Sequence, residues 1–374
     1  MLRHRKYLRL SMLLITVLLV FLLFGASLAL ANGVGNMYQV TNLVSDLPNV
    51  AKIQDTNLVN AWGLTRGPGT PWWVSDNRTG LSTLYRSDGS ISIVPLVVTI
   101  SPPAGGTPPA APTGTVFNTF ATAFVVSAGG ISRPSRFLFA AEDGTITGWN
   151  PVVSATVAIT GVDRSGVRAV YKGLALAQVG DQPFLYATNF RVGMVEMFDA
   201  GFHLVGSFTD AALAATCPFP GQCFAPFGIV NLGNKLYVTF ALQDAAHHDD
   251  AHGPARGFVD IFDTQGNLLS RFAQRGHLNS PWGVALAPSD FGEFSGDILI
   301  GNFGDGSINA YDAQSGTYRG TLAERPGRAI AIDGLWALAF GNDSPNNGAH
   351  NELFFTAGPN GESDGLFGKI ASLN

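Results

Sequence analysis

Charge is scarce in this chain. Asp, Glu, Lys and Arg supply 13% of its 374 residues, about half the usual ~25%, and 22 basic residues stand against 27 acidic ones. A nucleic-acid binder needs a basic face to displace counterions from phosphates, so that class is set aside. Cysteine is nearly absent: Cys217 and Cys223 are the only two, which excludes a cysteine-rich scaffold. Catalytic signatures are missing as well. The chain has no Gly-x-Ser-x-Gly elbow, no His-Glu-x-x-His and no phosphate loop.

What is abundant is hydrophobic sequence, at 46%, with 45 Gly and 26 Phe. That profile suits many short strands joined by tight turns and argues against long helices or disorder. One phrase recurs: Ala61-Trp62-Gly63-Leu64, Pro112-Thr113-Gly114-Thr115, Tyr171-Lys172-Gly173-Leu174, Pro226-Phe227-Gly228-Ile229, Pro281-Trp282-Gly283-Val284 and Leu335-Trp336-Ala337-Leu338. Its spacings are 51, 59, 55, 55 and 54 residues, and a near-fixed period of that size marks a blade-by-blade architecture.

Each repeat parses into four strands by alternation and turn signals. Blade one reads Asn60–Thr65, Trp72–Asp76, Ser82–Arg86 and Ile91–Ile100; blade five reads Trp282–Ala287, Asp297–Asn302, Ser307–Asp312 and Thr317–Leu322. Asp199, Asp263 and Asp312 each precede a turn, where a carboxylate accepts from turn amides. The sixth repeat ends one strand short at Asn374, while residues 37–43 alternate like a strand without a local partner. Pairing the two closes a ring and removes two exposed edges. The expected fold is therefore all-β: a six-bladed β-propeller of four-stranded blades, the last completed by the N-terminal strand, over residues 32–374. The Pro/Ala/Gly-rich segment 101–112 is a surface crossover between blades one and two.

Residues 1–31 read as a secretory signal: a basic start with Arg3, Arg5, Lys6 and Arg9, an apolar run from Leu10 to Leu23, and Ala29-Leu30-Ala31 as a small-x-small cleavage site. Cleavage after Ala31 makes the protein secreted or extracytoplasmic, at the cell surface. The alternative is an uncleaved anchor, since Leu10 to Leu30 spans 21 residues, about the ~20 needed to cross a bilayer; only then is the membrane a partner. Removing those four basic residues leaves 18 against 27 acidic, a formal net charge of −9. In an exported chain Cys217 and Cys223, separated by a segment with two prolines and a glycine, read as a structural disulfide. A redox pair would need Cys-x-x-Cys spacing and a basic neighbour.

In a propeller, the loops between second and third strands share a face with the entries to the inner strands. That rule gathers distant polar residues into one mouth, of which Asn57, Asn60, Asn189, Asn279, Asn302 and Asp333 are the ligand or metal candidates nearest the tunnel. Converging carboxylates and amide oxygens suit Ca²⁺, which takes six to eight oxygen ligands; Asn and Asp are equally the ordinary residues of hairpin turns. A second polar cluster lies in the blade-four insertion, Gln243 to His252, where His248, Asp249 and Asp250 are the candidates. Imidazole beside carboxylate suits Zn²⁺, although adjacent His247 and His248 point apart on most backbones and no second spaced ligand pair is present.

Several phrases resemble a known family: Val40-Thr41-Asn42-Leu43-Val44-Ser45-Asp46, Leu58-Val59-Asn60-Ala61-Trp62-Gly63-Leu64, His248-Asp249-Asp250, Leu278-Asn279-Ser280-Pro281-Trp282-Gly283 and Gly301-Asn302-Phe303-Gly304-Asp305-Gly306. The chain resembles exported bacterial proteins described as conserved and hypothetical, some ending in a Pro-Glu-Pro type C-terminal sorting signal. The end of this chain lacks that tail. The resemblance implies an NHL-like six-bladed propeller without an assigned activity. Two functions follow as expectations: a non-enzymatic propeller binding a small molecule, a glycan or a cell-surface protein through its top-face loops, or a Ca²⁺-dependent lactonase-like hydrolase or lyase working at the tunnel mouth.

Overall fold

The computed structural model describes residues 35–91 and 96–373. The expected leader at 1–31 and the middle of the strand expected at 91–100 lie outside those residues. Among the described residues, no helix is long and apolar enough to cross a membrane.

Six antiparallel blades form the ring. Blade one is built from Ala61–Thr65, Trp72–Asp76, Leu81–Tyr85 and Val98–Ile100; blade two from Pro112–Phe117, Phe137–Ala141, Thr145–Trp149 and Val157–Asp163. Blade three comprises Tyr171–Val179, Gln182–Asn189, Met194–Phe198 and Leu204–Phe208, and blade four Phe224–Leu232, Lys235–Leu242, Gly257–Asp263 and Leu268–Gln274. Blade five uses Pro281–Leu286, Ile298–Asn302, Ile308–Tyr311 and Tyr318–Thr321. Blade six takes Leu335–Phe340, Glu352–Ala357 and Leu366–Ser372 from the end of the chain, and Tyr38–Ser45 pairs antiparallel with Leu366–Ser372 as its outer strand. The ring is thus closed by a strand from the other end of the chain.

The recurring glycine phrase has a common geometry. In all six inner strands the ladder to the second strand slips across the phrase, between Ala61 and Leu64, Pro112 and Thr115, Tyr171 and Leu174, Pro226 and Ile229, Pro281 and Val284, and Leu335 and Leu338. Such a bulge bends the strand and re-aims a side chain. It also brings each inner strand against the next: a Cβ on Gly63 would collide with the Thr113 carbonyl, one on Gly228 with the Trp282 carbonyl, and one on Gly283 with the Trp336 carbonyl. Glycine is required there by close approach rather than by its dihedrals. Hydroxyls stitch the same contacts, with Thr188 donating to the Phe227 carbonyl at 2.7 Å, Thr113 to that of Tyr171 at 2.7 Å, and Thr356 to that of Trp62.

Of the residues that precede the glycine, or Ala337 in the sixth phrase, four of the six are aromatic, and these four, Trp62, Phe227, Trp282 and Trp336, meet in one cluster. Trp62 and Trp336 stack with centroids 3.6 Å apart, Phe303 stacks on Trp336 at 4.0 Å, and Trp282 meets both tryptophans edge-on. These rings plug the tunnel. On one side of the plug lies a cavity of about 430 Å³ lined by Leu64, Leu174, Ile229, Val284 and Leu338 together with Arg66, Thr115 and Asn231. On the other side lies the polar mouth.

One further feature matches the sequence reading. Asp199, Asp263 and Asp312 each accept turn amides, for example from Gly201 and His203 onto Asp199, both at 2.9 Å. The 101–112 crossover is exposed from 104 to 109. One feature was not expected: the outer strands of blades one and two pair with each other in parallel, Val157 opposite Thr99 and Ala158 opposite Ile100, so these two blades share one sheet.

Candidate functional site

At the mouth the geometry centres on Lys172. It occupies the phrase position held by tryptophan or phenylalanine in four other blades, so its bulge aims it inward above the plug. Its side chain is 1% exposed, and its ammonium pairs with Glu142 and, at 2.9 Å, with Asp249. It lies 5.1 Å from the centre of the Trp62 ring, a cation–π distance. Burial pushes this ammonium toward neutrality, but the Glu142 and Asp249 charges outweigh it and raise its pKa.

The partners arrive from other blades. Glu142 follows the second strand of blade two, and its other oxygen accepts from Asn77 Nδ2 at 2.9 Å. Asn60, with φ of 49°, stands at the entry to the inner strand of blade one. Its Nδ2 donates to Glu362 at 2.7 Å and to Asn77 at 3.2 Å, while its Oδ1 accepts from Trp336 Nε1 at 2.9 Å. Asp249 is supplied by the blade-four insertion and is bonded at 2.9 Å to His248 Nδ1. A continuous polar arc therefore runs from Trp336 through Asn60, Asn77, Glu142, Lys172 and Asp249 to His248. Blade five closes it from beneath, where Trp282 Nε1 donates to the Lys172 carbonyl at 3.0 Å.

The charges of the arc are tuned by contact. The His248 bond and the Lys172 charge hold the Asp249 carboxyl far below its usual range. His248 is raised in return, first by that hydrogen bond. Burial, and then the charge of Glu142, raise Glu362. Asp249 Oδ2 and Glu362 Oε1 have no hydrogen-bond partner among the described residues. The mouth thus holds three carboxylates against one ammonium and one imidazole.

The insertion is held in place by its own turn and by the disulfide loop. Asp244 accepts the His248 amide at 2.9 Å, and its own amide donates to the Asp249 carbonyl at 2.7 Å. His247, at φ of 55°, turns away from the mouth to bond the Gly221 carbonyl at 2.7 Å, inside the loop closed by the Cys217–Cys223 disulfide. His247 and His248 do point apart. The disulfide fits an oxidising, extracytoplasmic location.

Of the residues nominated from sequence, Asn60, His248 and Asp249 meet in the arc, and the others lie outside it. Asn189 is buried but spends its amide on Glu196 and the Val170 N–H within blade three. Asn279 binds Asp305 and the Gly253 N–H, and Asn302 binds the His277 carbonyl and the Asn279 N–H. Asp333 is exposed and accepts the Asn360 amide; Asn57 is half-buried on blade one, and its carbonyl accepts from Thr79. Asp250 lies beside His252, 3.7 Å from its Nδ1. Lys172, Glu142 and Glu362 belong to the polar rim that the strand pattern gathers at this face, but were not among its ligand or metal candidates; a lysine in an otherwise apolar phrase was the signal for choosing them.

Glu142, His248 and Asp249 bring three potential metal-ligating atoms within 4.8 Å of one another. Their fit to a divalent cation is poor, because the Lys172 ammonium already bridges both carboxylates and His248 Nδ1 is spent on Asp249. The Asn oxygens that would complete a Ca²⁺ shell are engaged too, Asn60 Oδ1 by Trp336 and Asn302 Oδ1 by the Asn279 amide.

No family model matches the chain. Over 341 residues it is 32% identical to "Uncharacterized protein R648" of Acanthamoeba polyphaga mimivirus, covering 89% of this chain and 80% of that protein. It is 31% identical to "Uncharacterized protein L690" of the same virus, covering 89% and 85%. Among solved structures, a glucose dehydrogenase superposes with a TM-score of 0.50 at 12% identity, over 89% of this chain and 99% of that one. A streptogramin B lyase superposes with a TM-score of 0.49, also at 12% identity, over 90% and 97%. At such identities the likeness is one of fold. The chain belongs to the family of the two mimivirus proteins.

Proposed function

We propose that this protein is an extracytoplasmic binding propeller whose top-face mouth takes a small ligand bearing a protonated amine. The observation that carries this reading is Lys172: a buried side-chain ammonium occupies the position between Glu142 and Asp249 that a cation would otherwise fill. What remains for a ligand is acceptor capacity, on Asp249 Oδ2 and Glu362 Oε1. In a site with excess negative charge, those oxygens favour a cationic partner and steer its approach. The leader at 1–31 and the disulfide support an exported protein, and membership of an exported bacterial family is part of the same reading.

Calorimetric titration with n-butylamine, putrescine and lysine tests it. The expected result is saturable binding of at least one amine, weakened tenfold or more in both Asp249→Asn and Glu362→Gln. An absence of binding by all three, or affinity indifferent to both substitutions, overturns it.

The rival is a metal-dependent hydrolase or lyase, favoured by the Glu142, His248 and Asp249 grouping. It requires a cation to displace Lys172. A stoichiometric, tightly held Ca²⁺ or Zn²⁺ in the purified wild-type protein, with chelator-sensitive lactone or ester hydrolysis, would establish it in place of amine binding.

A further inference from the structure

Away from the mouth, the gap between blades one and two is unlike the other gaps in the ring. Its outer side is sealed by the parallel pairing of Val98–Ile100 with Val157–Asp163, and no other pair of blades shares a sheet in this way among the described residues. The gap is filled by aromatic rings. Trp73 stacks on Phe137 at 4.0 Å and 19°, Trp149 lies 4.8 Å from Trp73, and Phe117 lies 5.3 Å from Phe137.

Where the gap opens on the face opposite the mouth, it widens into a cavity of about 640 Å³, within the ~300–1,000 Å³ typical of small-molecule sites. Trp73, Leu84, Phe117, Phe137 and Trp149 line it. Its amides offer little to a ligand. Asn118 Nδ2 donates to the Ala123 and Ser135 carbonyls, and Asn150 Nδ2 to that of Pro134; the two side-chain oxygens accept the Phe120 and Val152 amides. Arg136 is different. Its backbone is clamped, donating to Trp149 and accepting from Asn118, while its exposed side chain has no hydrogen bond or ion pair among the described residues. Among the described residues it is the only charged one in the lining.

We infer that this cleft is a second ligand site, for a flat apolar molecule carrying a carboxylate. The rings supply stacking and dry contact area for the apolar face of the ligand. The guanidinium supplies a planar, bidentate partner for the anionic end. A sugar fits poorly, because the amides that would read its hydroxyls are spent on the backbone. A cationic ligand is repelled by Arg136. The site is independent of the mouth in both position and charge preference.

The test uses 2-naphthoate, 2-naphthylmethanol and 2-naphthylmethylamine as probes of equal shape, read by tryptophan quenching and calorimetry on the full chain. One 2-naphthoate per chain is expected to bind, with the alcohol weaker and the amine weakest. Arg136→Gln, at an exposed position, should weaken the naphthoate about tenfold and leave the alcohol unchanged. Thr119→Trp, on the exposed rim of the cleft, should block both, and Asp249→Asn should alter neither. No saturable naphthoate binding up to about 1 mM, an affinity of only about −4 kcal/mol, overturns the inference. So does binding that is indifferent to Arg136→Gln, or an amine that binds as well as the acid.

Discussion

A single lysine decides what the mouth can hold. Desolvating an ammonium costs several kcal/mol, and the ion pairs that offset it are rarely a net source of stability, so Lys172 makes sense as a fixed internal cation. Removing it leaves Glu142 and Asp249 facing each other. Lys172→Met is therefore expected to lower stability by about 3 kcal/mol, somewhat less than a fully buried pair would cost because Asp249 is 62% exposed. Millimolar Ca²⁺ should raise the melting temperature of that variant and leave the wild type unmoved. Calorimetric scans of both proteins with and without Ca²⁺ decide it: an unresponsive variant would mean that the carboxylates were never arranged around a cation's position.

At the level of elements, one guanidinium ties blade four to its neighbour. Arg271 on the outer strand pairs with Asp260 on the third strand and with Asp210, whose carboxylate caps the short helix Ala211–Ala214 through the Ala212 and Leu213 amides. Burial lifts the Asp260 carboxyl to about 7 even against the pull of Arg271. Its folded pKa thus lies above the ordinary ~3.9 of an unfolded Asp. The stability it contributes is complete below that lower value and is lost as pH rises through about 7. Melting temperatures of wild type and Asp260→Asn should therefore diverge between pH 5 and pH 8, with the wild type losing ground at the higher pH. Parallel curves would contradict the assignment.

Elements also show why the fold was more legible than the site. The bulged phrase is a backbone requirement repeated six times, with glycine in five of them and Ala337 in the sixth, so period alone exposes it, and the unpaired alternation of residues 37–43 identifies the closing strand. Site residues carry no such redundancy. Asn189, Asn279 and Asn302 occupy the expected face, yet their amides satisfy nearby backbone and side-chain groups, and sequence position does not tell an Asn that braces a loop from one that faces a ligand. Lys172 was legible in principle, as a charge in an apolar slot. The parallel pairing of blades one and two was not, because it rests on two residue pairs between outer strands whose register no turn residue fixes.

For the whole molecule, closure is the shared dependency. Tyr38–Ser45 supplies the outer strand of blade six, and Tyr38 also packs on Phe291 and Phe294 of blade five. Deleting residues 38–45 would expose the edge of Leu366–Ser372 and the apolar surface beneath it, the combination that templates aggregation. The truncated chain is expected to elute as higher oligomers and to lose cooperative unfolding; a monomer with a single sharp transition would show that the seam is dispensable.

That seam has a further consequence. The Leu373 amide donates to the Met37 carbonyl at 2.9 Å, so residues far apart in the chain are neighbours in space. The ring has no structurally privileged first blade. A circularly permuted gene, with Met37 joined to Leu373 through a short linker and new ends opened in the exposed 104–109 segment, would encode the same blades in the same cyclic order, with the join between ends moved to the blade-one and blade-two boundary.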